Sequence, residues 1–508
     1  MIGKISSDSY KKLTKKIEQI SQLKSIAGLV HWDSAVMMPS GSATKRHVEV
    51  ANLQSLVHEM STSAQMGDLI KAACQEESSL DQWQKANLKL IGKSYDKIQS
   101  ITQELSHEFS IASSESEFNW RKCRAENNFK DLIPYLNRVF KAAIAIANAQ
   151  AESSGKSAYD VLVDDFDPDR SVAEIDSVFS NLKVELPKLM NKIIAKQSSE
   201  KVLSLSEKID ESTQKAIGLK VLSSMGFDLN RGRLDKSTHP FCIGGRFDVR
   251  MTTRYDESNF LSSLFAVVHE TGHGLYQQNL PEDYMYQPVG EANGMAFHES
   301  QSLIMEMQAA SSKGFVQFLA KLLRDDFGFK GAEYSAENLY KLMTRVKPSF
   351  IRVDADEVTY PLHIILRFEI EQQIMAGDIQ AVDLPQVWND KMKEYLGVVP
   401  GDYASGCLQD IHWPSGWLGY FPSYTNGAII ASMLMRKVQE QSVQDQQKDS
   451  ISDELAKGSF SSLNSYLNQN LRQHGSLYSS KELLKISTGF EQVEPSIFIE
   501  YLRNKYLD

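Results

Sequence analysis

Apolar residues recur three and four positions apart along much of this chain. Leu13, Ile17, Ile20 and Leu23 form one series; Leu88, Ile91, Tyr95 and Ile98 form another, which continues through Ile101 and Leu105. That spacing gathers apolar side chains on one face of an α-helix. The first 133 residues hold a single proline, Pro39, so little interrupts the pattern. The same period predicts helices around 172–197, 258–279, 291–310, 361–376 and 426–443. One stretch, Phe241 to Tyr255, has strand character, with Gly244-Gly245 as its expected turn. The polar run at 439–450 predicts an exposed helix end or loop. No internal repeat and no Pro/Ser-rich linker divides the chain. The expectation is a mainly α protein, one continuous domain over 1–508, with a small β element near 240–255.

Composition narrows the function classes. The 508 residues would allow about three domains or one large helical unit. Hydrophobic and charged fractions of 42% and 24% are ordinary globular values and exclude wholesale disorder. The net charge of −10, from 55 basic and 65 acidic residues, argues against nucleic acid or an anionic membrane as partner. The N-terminal sequence is too polar for a secretory signal, and no run of 18 apolar residues appears, so the expected location is the cytoplasm. Cys74, Cys123, Cys242 and Cys407 are scattered, with no CxxC pair, and read as reduced structural thiols.

The strongest chemical signal is His269-Glu270-Thr271-Gly272-His273, an HExxH. Leu261, Leu264, Phe265 and Val268 set a helical stripe before it, and Asp256-Glu257-Ser258 offers N-cap chemistry. On a helix, positions i and i+4 differ by about 40° in azimuth, so both imidazoles lie on one face. Two such histidines can ligate one Zn²⁺, while Glu270 points to the adjacent side and can reach metal-bound water without being a ligand. Gly272 and Gly274 each cost about 1 kcal/mol against alanine inside a helix, which suggests close approach of a substrate or of a neighbouring helix.

A catalytic zinc needs a third protein ligand and an open position. The metzincin pattern requires glycine at 276 and histidine at 279; Tyr276 and Asn279 exclude it. A carboxylate from the following helix is the other common solution. Glu299 sits centrally in that segment, with Glu291 and Glu306 as competitors. His298 points about 100° away from Glu299 and reads as a supporting or structural residue.

Six motifs, in order, resemble the M32 metallocarboxypeptidases of the thermostable carboxypeptidase type. They are His239-Pro240-Phe241, Asp248-Val249-Arg250-Met251-Thr252, the HExxH, His298-Glu299-Ser300-Gln301-Ser302, Ile351-Arg352-Val353-Asp354-Ala355-Asp356, and Gly406-Cys407-Leu408-Gln409-Asp410-Ile411-His412-Trp413. His31-Trp32-Asp33 with Met38-Pro39 near the start, and Thr488-Gly489 with the closing 501–506 segment, extend the resemblance over essentially the whole chain. It implies an almost wholly helical fold with a deep cleft, and usually a homodimer. It implies removal of single residues from peptide C-termini with broad preference, zinc or cobalt as the metal, and Glu299 as third ligand.

Roles follow from that resemblance and from chemistry. Water on zinc has its pKa pulled to about 7, and Glu270 takes its proton and later delivers it to the leaving amine. Arginine pairs a terminal carboxylate through two parallel bonds, which makes Arg352 and Arg250 the substrate-binding candidates. Asp248 and Asp356 are the alternative partners, in ordinary internal ion pairs. His412 and Tyr424 are suitable donors to an oxyanion. His239 lines the cleft or fixes the β element, and Cys407 is assigned no chemistry. Two other readings compete. One is a zinc oligopeptidase, cutting internally or releasing dipeptides. The other is a non-catalytic helical metal-binding protein, although structural sites are usually closed by four protein ligands.

Overall fold

The computed structural model describes residues 8–205, 208–444 and 450–508. It is predominantly helical, as the periodicity predicts, with one three-stranded sheet. Elements used below are α1 (Asp8–Val36), α2 (Glu211–Ser224), β1 (Gly232–Lys236), β2 (Phe241–Gly245), β3 (Asp248–Thr253), α3 (Phe260–Gln278), α4 (Gly294–Leu303), α5 (Tyr360–Ala376), α6 (Pro422–Gln444) and α7 (Pro495–Tyr506). No helix among the described residues is long and apolar enough to cross a membrane.

Two apolar clusters hold the chain. The smaller lies under the N-terminal helices and joins Tyr10, Leu13 and Ile20 of α1 to Leu88 and Ile91. The 88–105 series that reads as one helix is two: the first ends at Gln99, and Thr102 caps the second by accepting from the Leu105 amide. The larger cluster surrounds α3, α4, α5 and α6.

The sheet has the order β1-β3-β2, with β1 parallel and β2 antiparallel to β3. The hairpin turn falls on Arg246-Phe247 rather than on the two glycines, because Gly245 already pairs with Asp248. Gly244 has φ 113°, and a Cβ there would lie 1.9 Å from the Asp248 carbonyl oxygen. Glycine is therefore required by a close backbone approach inside the strand. β1, Gly-Arg-Leu-Asp-Lys, carries one buried apolar side chain, Leu234, and gave no strand signal in the sequence. The sheet supports one side of α3: a Cβ on Gly274 would lie 2.7 Å from Phe227 and 3.0 Å from Met251 of β3.

α3 begins one residue after the expected cap. Asn259 is the N-cap and accepts from the Ser262 amide, while Asp256 closes the turn before it by accepting from the backbone and hydroxyl of Ser258. The helix is buried on nearly every side, between β3, α2 and α4. Its glycines answer the question of what approaches closely: a Cβ on Gly272 would sit 2.2 Å from the Gln301 carbonyl oxygen of α4. Gly427 of α6 plays the same part on the other side of α4, where a Cβ would lie 2.8 Å from Glu299 Cβ. Small residues thus bring three helices into near backbone contact around Glu299. The expected helix at 291–310 is α4 followed by a π-helical turn, Ile304–Ala309. The polar run at 439–450 continues α6 to Gln444; residues 445–449 lie outside the described residues.

Candidate active site

His269, His273 and Glu299 present ligand atoms that all lie within 4.8 Å of one another. His269 Nε2 is 3.8 Å from Glu299 Oε1, and His273 Nε2 is 3.4 Å from Glu299 Oε2. Glu299 Oε1 is buried without a hydrogen-bond partner. A buried, unpartnered carboxylate oxygen facing two imidazole nitrogens is costly unless a cation fills the gap, so these residues fit a divalent metal.

The ring nitrogens facing away from the gap are committed. His269 Nδ1 lies 2.7 Å from Glu306 Oε2, so Nδ1–H donates and Nε2 keeps its lone pair for a metal. Glu306, a competitor for third ligand in the sequence, stands behind His269 instead. Glu291 precedes α4 in a loop and belongs to no such cluster among the described residues. His273 Nδ1 lies 2.6 Å from His298 Nδ1. For His273 Nε2 to bind metal, its Nδ1–H must donate to His298, which then holds its own proton on Nε2. The atom 2.9 Å from that nitrogen is Gln277 Nε2, a donor, so metal binding through His273 Nε2 requires the Gln277 amide to turn its oxygen toward His298. His298 supports a histidine and is not itself in the cluster.

The charges of the triad act strongly on one another. Burial opposes charge on His269, yet without a metal Glu299 and Glu306 outweigh it and raise its pKa to about 10, so Nε2 gives up a proton when a metal binds there. Burial would raise Glu299, but His269 and His273 hold it below the usual carboxylate range. Glu270 is 6% exposed and makes no side-chain hydrogen bond among the described residues. Burial pushes its pKa up, against the pull of His269 and His273. A buried carboxylate with a raised pKa can accept and return a proton.

The arginines are placed differently from one another. Arg250 pairs bidentately with Asp248, at 2.9 Å for each bond, and lies 4.4 Å over the Trp32 ring, which is the ion-pair alternative open in the sequence. Arg352 is 6% exposed and does not pair with Asp356, whose carboxylate accepts backbone amides of Lys347, Val358 and Thr359. Its Nε and Nη2 donate to Asp410 Oδ1 at 3.1 and 2.9 Å, and its Nη1 donates to the Tyr360 hydroxyl at 3.2 Å. A second guanidinium, Arg367, fully buried on α5, takes Asp410 Oδ2 at 2.6 Å. Two cations share one carboxylate, and a positive charge remains. Arg367 carried no sequence signal, because 42 residues separate it from Gln409, to which it also donates.

His412 Nε2 lies 3.3 Å from the Tyr424 hydroxyl, and its ring is enclosed by Tyr420 and Phe421. Tyr424 lies 4.7 Å beneath the Arg352 guanidinium. Burial raises the Tyr424 pKa to about 12, with Arg352 opposing and Glu299 adding. Tyr360 and Tyr420 also feel Glu299. Tyr360 and Tyr424 contact Arg352, and both feel the charge of Glu299. His239 is brought into neither group. Its ring is exposed, and its carbonyl accepts from Ser237 and Thr252 hydroxyls, so its backbone ties the β element together.

Comparison with known proteins decides the family. The model of the carboxypeptidase Taq (M32) metallopeptidases matches residues 12–506. The chain belongs to the M32 family. It is 32% identical to carboxypeptidase 1 of Bacillus subtilis (strain 168) over 494 residues, covering 96% of each. It is 32% identical to thermostable carboxypeptidase 1 of Thermus thermophilus over 508 aligned residues, covering 98% of each. Its structure superposes on that of Trypanosoma cruzi metallocarboxypeptidase 1 with a TM-score of 0.95 at 35% identity, over 99% of this chain and 100% of the other. This M32 chain is thus a metallocarboxypeptidase, a hydrolase of peptide bonds that uses a divalent metal.

Proposed function

We propose that the protein removes single amino acids from the free C-termini of peptides with broad side-chain preference, using zinc, with cobalt as a competent substitute. The observation that carries this reading is the joining of two unlike sites by α6, whose Tyr424 lies against Arg352 and whose Gly427 lies against Glu299: a carboxylate–histidine triad with an uncommitted Glu270, and an arginine pair with a charge to spare. A bound divalent ion supplies Lewis acidity toward the scissile carbonyl and an acidified water. Glu270 accepts the proton of the attacking water and passes it to the leaving amine. Arg352, held by Asp410 and supplemented by Arg367, attracts the terminal carboxylate, and Arg250 shapes the groove from the strand side. Neutral His412 and the protonated Tyr424 donate hydrogen bonds to the developing oxyanion. His239 contributes through the β element. The enzyme acts as a homodimer on peptides in the cytoplasm; four free cysteines accord with a reducing compartment.

The test is an N-acylated tetrapeptide incubated with metal-loaded protein, with products followed by mass. Stepwise loss of single C-terminal residues is expected. Glu270→Gln should keep metal binding and lose about 10²–10⁴-fold in rate. Internal cuts or dipeptide release would move the assignment to an oligopeptidase. No cleavage with any metal would favour a binding protein.

A further inference from the structure

We propose that Lys505 and Tyr501 of α7, with Glu357, are positioning residues for the metal-facing imidazole of His269, acting through the π-helical turn that carries Glu306. The proposal rests on the reading of His269 as a metal ligand. Glu306 belongs to Ile304–Ala309, where the Ala310 amide reaches back five residues to the Met305 carbonyl. Such a turn is wider than an α-helix and takes carbonyls out of the regular ladder, so they need other partners. The Glu306 carbonyl accepts from the Ser311 hydroxyl at 3.0 Å. The next carbonyl, of Met307, is 2.9 Å from both Lys505 Nζ and the Tyr501 hydroxyl. The residue whose side chain orients His269 is therefore bracketed by backbone anchors, one of which reaches to the last helix.

The proton inventory closes around that anchor. Lys505 has three N–H donors, and three acceptors surround it: the Met307 carbonyl, a Glu357 oxygen and the Tyr501 hydroxyl oxygen. Tyr501 then spends its single proton on Glu357 Oε2 at 2.9 Å, the charged and stronger acceptor. Tyr506 donates to Glu357 Oε1 at 2.6 Å. The ammonium and carboxylate side chains are 8% and 4% exposed. A buried ion pair is a poor source of stability, because desolvation offsets its attraction. What this pair does supply is a fixed donor on one carbonyl. That carbonyl lies one residue from Glu306, which lies one hydrogen bond from His269.

Zinc affinity, read by chelator competition, separates this role from a structural one. Partners that orient a metal ligand change affinity by about 10–100-fold, and Lys505 acts one bond further out, so Lys505→Met should weaken zinc binding about 3–10-fold. Lys505→Arg should recover most of the loss. In a Glu306→Gln background, Lys505→Met should add less than about twofold, because the path is already cut. Affinity unchanged in a folded Lys505→Met protein, or losses that multiply in the double variant, overturn the proposal. Should Lys505→Met not fold, Tyr501→Phe, which takes away one acceptor of Lys505 and one donor to Glu357 and so loosens the same anchor, should weaken zinc binding in the same direction, and an unchanged affinity there overturns the proposal. Zinc binding unaffected by His269→Ala would sink the metal assignment itself, and this proposal with it. Binding that depends on His269 but not on Lys505 or Tyr501 sinks only the latter.

Discussion

Asp410 is the residue on which the arginine pair depends. Arg352 takes one of its oxygens and Arg367 the other, and both guanidinium groups hold it far below the usual carboxylate range although burial works the other way. Asp410→Asn would leave two buried cations facing each other, at a cost of about 3–5 kcal/mol. Urea denaturation of the metal-loaded protein reads it directly, and a loss under about 1 kcal/mol would mean that the charges are compensated elsewhere. The same cluster governs His412. Burial lowers its pKa to about 3, Arg352 and Arg367 add to the shift, and Asp410 opposes it. The folded value lies below the ordinary histidine value of about 6.5, so the folded chain binds fewer protons in between. The contribution to stability is complete above about pH 6.5 and is lost as pH falls toward 3. His412→Asn should therefore flatten the decline in unfolding free energy between pH 7 and pH 5. An unchanged slope would show that His412 is already solvated in the fold.

The helices were legible in the sequence because their period is a local property; what they bring together was not. The HExxH face and the glycines of α3 follow from spacing on single helices, whereas Glu299 was separated from Glu291 and Glu306 only by the family resemblance. Glu299 and Glu306 are seven apart, two helical turns, so both face α3, and the imidazole of His269 fits between them with one nitrogen toward each. Spacing could not say which carboxylate takes which nitrogen; the π-helical turn and the contact of α4 with α6 decide that. Arg367, Tyr360 and Tyr420 were missed because their partners, Asp410, Arg352 and Tyr424, reach them through packing rather than through a motif. β1 was missed because one apolar residue in five makes no alternation. At this scale the decisive contact is Gly272 against the Gln301 carbonyl. Gly272→Ala should gain helix propensity yet force α3 and α4 apart, with a net cost of about 1–3 kcal/mol. It should also weaken zinc binding, since the two histidines and Glu299 lie on opposite sides of that contact. A stabilised variant with normal zinc affinity would refute the claim that this approach sets the site.

For the whole molecule, the triad ties together the two helices that most of the large core packs around. α3 contacts the sheet and α2, and α4 contacts α6, so a metal held by His269, His273 and Glu299 fastens the centre of that core. The small cluster under the N-terminal helices contains none of these ligands. Metal that binds only the folded chain at about 1,000 times its Kd adds about 4 kcal/mol. Unfolding entropy of about 2.1 cal/mol/K per residue gives a chain of 508 residues about 1 kcal/mol/K, so the midpoint should rise only about 4 °C on zinc loading. The modest shift comes from the size of the chain and does not imply weak binding. Hydrogen exchange should place the effect: zinc should slow the amides of α3 and α4 far more than those around Leu13 and Leu88. Calorimetry on chelated, loaded and His269→Ala protein tests the sum, with the variant expected to melt at one temperature whether or not zinc is present. A zinc-dependent rise that persists in His269→Ala would place the stabilising ion at some other site.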